Sequence, residues 1–119
     1  MKLGLLVAAA LWIQAGTSGA KIEIVSVSGC LREASADTWM LVNATDPVPS
    51  NANAPEKREI PAAPPAGKNQ FRLIGVSEFN LPVYKDHAVL VKGLHIKAQP
   101  VSRLNITSVT AIAATCAAK

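Results

Sequence analysis

The sequence predicts a small all-β domain, and three observations carry that prediction. Apolar and polar residues alternate with a period of two in four separate segments. The two longest of these are each broken by an interior glycine, Gly29 and Gly93, as expected where a strand bends or bulges. The last segment, residues 104 to 116, is rich in β-branched and apolar residues and suits a buried strand.

The first strand is IEIVSVSGCL, residues 22 to 31. Its alternation slips once between Ile24 and Val25, which reads as a bulge or a frayed start. Gly29 falls where an inward side chain would sit, so the strand can bend there and serve two sheets. After the polar EASAD connection, TWMLVNA (38 to 44) forms a second strand with Trp39, Leu41 and Asn43 on one side. QFRLIG (70 to 75) forms a third, in which Phe71 and Leu73 alternate with Arg72. The stretch 76 to 86 holds apolar anchors, but Pro82 forbids a long helix; a short helical turn near Ser77 and then extended chain fit it. HAVLVKGLHIK (87 to 97) is the clearest strand, interrupted at Gly93. A turn at Gln99-Pro100 leads into the fifth, whose alanines hide the inward phase.

Between the second and third strands the composition changes. Six prolines fall between residues 46 and 69, removing backbone donors and holding the chain extended. This segment is expected to be a disordered excursion in which Ile60 makes one anchoring contact. Five strands, with a short helical or irregular element between strands 3 and 4, match the parts of an OB-fold, a small Greek-key barrel. An immunoglobulin-like sandwich would call for about seven strands.

Residues 1 to 20 read as a signal peptide. Lys2 precedes an uncharged apolar run from Leu3 to Ile13, too short for the roughly 20 residues of a membrane span. Small residues at Ser18 and Ala20 then place cleavage after Ala20. The domain is therefore residues 21 to 119, periplasmic or secreted. Val27-Ser28-Gly29-Cys30 mimics a lipoprotein box, but Lys21 and Glu23 separate Cys30 from the apolar run, which argues against lipidation. In an exported chain the two cysteines, Cys30 and Cys116, predict a disulfide.

Chemistry is sparse. The chain has 12 Lys and Arg residues against 8 acids, and the positive ones are scattered along it, which argues against nucleic acid as a partner. His87 and His95 lie eight residues apart on one predicted strand, a span of roughly 26 Å, so they cannot share a metal. No spaced carboxylate pair, nucleophile elbow or phosphate loop occurs, so the sequence predicts neither enzyme nor cofactor. Trp39, Phe71 and Arg72 are the candidate ligand-binding residues, because OB barrels stack bases or sugars on strands 2 and 3. A small core needs bulk, so the reading in which the same two rings plug the barrel outweighs the platform, and Arg72 points away from Phe71 on an ordinary strand.

The phrases VSVSGCL (25 to 31), WMLVNAT (39 to 45), FRLIG (71 to 75), VLVKG (89 to 93) and NITSV (105 to 109) resemble small exported bacterial OB-fold proteins of uncharacterised function. In these, strands one and four each end in V-x-V-x-G. The resemblance implies an exported barrel whose ends are tied by a disulfide, and it brings no catalytic residues. The expectation is thus a non-enzymatic binding or structural module of the bacterial envelope, its partner an unknown envelope protein or small ligand. The alternative is an oligonucleotide- or saccharide-binding domain using a Trp39/Phe71 face.

Overall fold

The structure, a computed structural model, describes residues 22–52, 55, 57–64 and 66–116. The expected signal peptide and its cleavage site lie outside the described residues. The strands are β1 (Glu23–Ser35), β2 (Thr38–Ala44), β3 (Val48–Pro49), β4 (Asn69–Ile74), β5 (Ala88–Ile96) and β6 (Ser102–Ala113). They form one sheet in the order β2-β4-β6-β5-β1-β3, and β2 also pairs with β1, so the five long strands close into a ring. Every pairing is antiparallel except β4 with β6. Among the described residues there is no α-helix, and no helix long and apolar enough to cross a membrane.

Closure depends on β1 serving two neighbours. Glu23 to Cys30 pair with β5, and Cys30 to Ser35 pair with β2. Gly29 stands at the changeover, where a Cβ would lie 2.9 Å from Leu41 Cγ and 3.0 Å from the Val42 carbonyl oxygen. The missing side chain is what lets β2 cross so closely. The slip expected between Ile24 and Val25 is absent, because the register with β5 runs unbroken from Glu23 to Cys30. Ile24 simply lies on the other side of the strand from the buried Val25, half-buried, with its carbonyl accepting the Ser50 N–H at 2.9 Å.

Two register shifts re-aim side chains. In β2 the ladder to β4 shifts between Leu41 and Ala44, and Asn43 adopts φ 49°. Asn43 is therefore exposed, not beside Trp39 and Leu41 as the alternation predicted, and Ala44 takes the buried place. The predicted irregularity at Gly93 is present, but the extra residue belongs to the partner. Lys92 pairs with Ser108 and Gly93 with Ile106, which leaves Thr107 as the bulge in β6. A Cβ on Gly93 would lie 2.6 Å from the Asn105 carbonyl oxygen and 2.9 Å from Ile106 Cα, both backbone atoms with little room to yield. Gly93→Ala is expected to lower stability by about 1–3 kcal/mol, read as a fall in urea midpoint at unchanged m-value. A loss under about 0.5 kcal/mol would show that the crossing can relax.

The core is built by Val25, Val27 and Leu31 of β1, Trp39 and Leu41 of β2, Phe71 and Leu73 of β4, Val89 and Val91 of β5, and Leu104 and Ile106 of β6. Between β4 and β5 the chain makes two 3-10 turns, Val76–Glu78 and Leu81–Tyr84, where one turn followed by extended chain was expected. Pro82 sits in the opening positions of the second turn, where its missing N–H is no loss. Leu81 is buried in the core, with Val76, Phe79 and Tyr84 packed against it. Cys30 and Cys116 are disulfide-bonded across 86 residues, with Cα atoms 5.5 Å apart.

The described residues of the proline-rich excursion, a segment expected to be disordered, carry some local structure. Its described residues include β3, which pairs with β1, and a 3-10 turn at Lys57–Glu59. The Gly67 N–H donates to the Asn43 carbonyl at 3.1 Å, and Lys92 Nζ reaches Glu59 Oε1 at 2.8 Å. None of its described residues is buried, and Ile60, the expected anchor, is half-buried. Proline density excludes a long ladder but not polar tethering. The tethers are a backbone bulge and an ammonium group, neither of which composition reveals.

Candidate functional site

The ring converts scattered basic residues into a row. Arg32 on β1 pairs with Met40 on β2, Met40 with Arg72 on β4, and Arg72 with Arg103 on β6. Directly paired residues share a face of the sheet. Each arginine adjoins an inward, buried leucine (Leu31, Leu73 and Leu104), so all three guanidinium groups are on the outer face, and all three residues are exposed. With strands about 4.8 Å apart, the row from Arg32 to Arg103 spans roughly 14 Å.

The charges are unevenly compensated. Arg32 Nη1 donates to Asp86 Oδ1 at 2.8 Å, but both side chains are about half exposed and such a pair is weak. Among the described residues, neither Arg72 nor Arg103 makes an ion pair or a side-chain hydrogen bond. Two like charges held side by side on adjacent strands work against folding. On the same face, Gln70 and Ile74 lie two residues from Arg72, and Asn105, paired with Ile74, two from Arg103. The face therefore offers two planar cations and two amides, a set suited to carboxylate, sulfate or phosphate groups.

No known protein family, curated protein or solved structure matches this chain.

The expected site residues part company. Arg72 is on the outer face, whereas Trp39 is 6% exposed and Phe71 4% exposed, both within the core. As placed, both rings plug the ring of strands and neither offers a stacking surface. The cause is alternation itself: an exposed Arg72 requires a buried Phe71 beside it. The His95 ring meets Phe71 edge-on at 5.6 Å between centroids. Burial lowers the pKa of His95 below its ordinary value, and Lys97 lowers it further against an opposing pull from Glu23.

That ring pair lines a cleft of about 510 Å³ at one end of the ring, between the roots of the excursion and the β5–β6 turn. Asn69 donates to Asp46 Oδ1 at 2.8 Å across the roots. His87 sits apart from His95, its Nδ1 3.0 Å from the Lys85 carbonyl oxygen. Among the described residues, no three histidine, cysteine or carboxylate side chains gather as metal ligands do. The sequence signal for the basic row was present but faint: three strands each carry an arginine next to an inward leucine. Only strand order and register make them neighbours.

Proposed function

We propose that the chain is an exported, non-enzymatic OB-fold-like barrel of the bacterial envelope that binds an acidic polymer along the Arg32–Arg72–Arg103 row. The observation that carries this reading is the adjacency of Arg72 and Arg103 without a counter-charge among the described residues. A like-charge pair that disfavours folding is best accounted for by an anionic ligand that compensates it. The closed ring of five long strands, with short turns between β4 and β5, supports the OB-like reading. The disulfide supports export. No aromatic ring stands in the row, so a polymer of acidic sugars suits it better than stacked bases.

The test is fluorescence anisotropy with a labelled oligogalacturonate, a neutral glucan and single-stranded DNA, each over a range of salt. The acidic glycan is expected to bind with strong salt dependence, and the neutral one not at all. Arg72→Ala with Arg103→Ala should weaken binding at least about tenfold and reduce the log–log salt slope by about 2. An unchanged affinity in the double variant would remove the row as the site. Preference for DNA over the glycan would reassign the ligand class.

A further inference from the structure

The inward face of the ring changes character at one end. His95 of β5 pairs with Leu104 of β6, and Ser102 of β6 pairs with Phe71 of β4. Asn69, two residues before Phe71 on β4, pairs with Ala44. Leu104, Phe71 and Ala44 all belong to the core, and paired residues share a face, so His95, Ser102 and Asn69 point inward. Three neighbouring strands, β4, β6 and β5, thus each place a hydrogen-bonding side chain at the end of an inward apolar row. All three side chains line the cleft of about 510 Å³, a volume within the roughly 300–1,000 Å³ of small-ligand sites. Contact with water alone would be met by long charged side chains reaching outward. These are short or rigid groups whose polar atoms stay in the cleft.

Asp46 joins them from the root of the excursion, where the Asn69 amide donates to its Oδ1 at 2.8 Å. That bond uses one carboxylate oxygen and one amide proton, which leaves an acceptor and a donor side by side. Among the described residues, neither the His95 ring nor the Ser102 hydroxyl makes a hydrogen bond. Burial holds His95 below its ordinary pKa, so at neutral pH its ring carries one donor and one acceptor. Charges around the cleft oppose one another: Asp46 in its wall and Glu23 near His95, Lys68 in its wall and Lys97 near His95. An anion would meet two carboxylates and a cation two ammonium groups. Pro47 and Pro100 add apolar walls. A sugar ring fits this set, because each of its hydroxyls both donates and accepts while its C–H faces are apolar. We propose that the cleft binds one neutral sugar residue, with adjacent hydroxyls on Asp46 and Asn69 and a further hydroxyl on His95 and Ser102. The arginine row lies on the outer face of the strands, so this site is separate from it and does not rest on it.

The test is an NMR titration of the disulfide-bonded protein with glucose, galactose, mannose, N-acetylglucosamine, galacturonate and calcium chloride. The His95 ring protons and the Asn69 side-chain amide are followed. At least one neutral sugar is expected to shift both sets of signals saturably, with a Kd of about 1 mM. Asp46→Asn keeps the shape of the side chain but replaces an acceptor with a donor, and should weaken that binding about tenfold or more. Ser102→Ala should weaken it by a smaller factor, and Arg72→Ala with Arg103→Ala should leave it unchanged. The proposal is overturned if none of the four neutral sugars gives a saturable shift, or if Asp46→Asn binds the sugar as well as the parent does. Tighter binding of galacturonate than of any neutral sugar, saturable calcium binding at these signals, or loss of the sugar in the arginine variant overturns it as well.

Discussion

Replacing Cys30 and Cys116 together by alanine is expected to lower stability by about 4 kcal/mol. The bond closes a loop of 86 residues, nearly the whole of the described chain. In the chain-entropy model a loop of that length contributes between the ~3 kcal/mol of a 15-residue loop and the ~4.7 kcal/mol of a 100-residue one. It acts at two sensitive places. Cys30 is the residue of β1 that pairs with both β2 and β5, and Cys116 follows the end of β6, with Sγ 3.3 Å from the Asp86 carbonyl oxygen. Domains of this size hold only about 5–15 kcal/mol, so the loss would bring the reduced protein close to unfolding at 37 °C. Urea titrations of the oxidised protein, the reduced protein and the double variant give the comparison. The last two should coincide. A loss below about 2 kcal/mol would mean that the reduced chain keeps its ends together without the bond.

How much of this was legible follows from which facts are local. β2 and β4 could be read almost to the residue, because Trp39, Leu41, Phe71 and Leu73 alternate with polar or lesser apolar residues and alternation is a property of the strand alone. The reading failed at Asn43, where a left-handed residue shifts the phase, and at Ile24, where an apolar side chain faces outward without any bulge. Lys92 carried a local signal that could have been used: a charge within VLVKGL needs a partner. Its partner Glu59 could not be named, because the chain between them passes through β4 and two 3-10 turns. The arginine row is less local still. Arg72 and Arg103 meet only through the parallel pairing of β4 with β6, and Arg32 joins them only because β2 pairs with both β1 and β4. Linear spacing made these residues look scattered, and only strand order and register bring them side by side.

Trp39→Ala and Phe71→Ala are each expected to cost about 3–5 kcal/mol, with little change in polymer affinity for the molecules that stay folded. Both rings lie in the core, Trp39 level with Leu73 of β4 and Phe71 level with Leu41 of β2. Truncating either leaves a cavity between strands already constrained by the close crossing at Gly29, so collapse around the gap is restricted. Phe71→Ala has a second signature. The ring is the edge-on neighbour of His95, whose pKa is lowered chiefly by burial, so admitting water there should raise that pKa towards its ordinary value. The linkage sign follows. A histidine lowered in the folded state costs stability as pH falls from its unfolded value near 6.5 through the folded one, and Phe71→Ala should flatten that acid limb while Trp39→Ala leaves it in place. Urea midpoints between pH 5 and 8, with a proton NMR titration of His95, separate the two variants. The arginine substitutions should show the opposite profile: lost polymer binding, and stability unchanged or slightly raised as the like charges are relieved. Full stability in Trp39→Ala together with lost binding would instead mean that the ring turns outward to its ligand, and the row would then be only the flank of a stacking face.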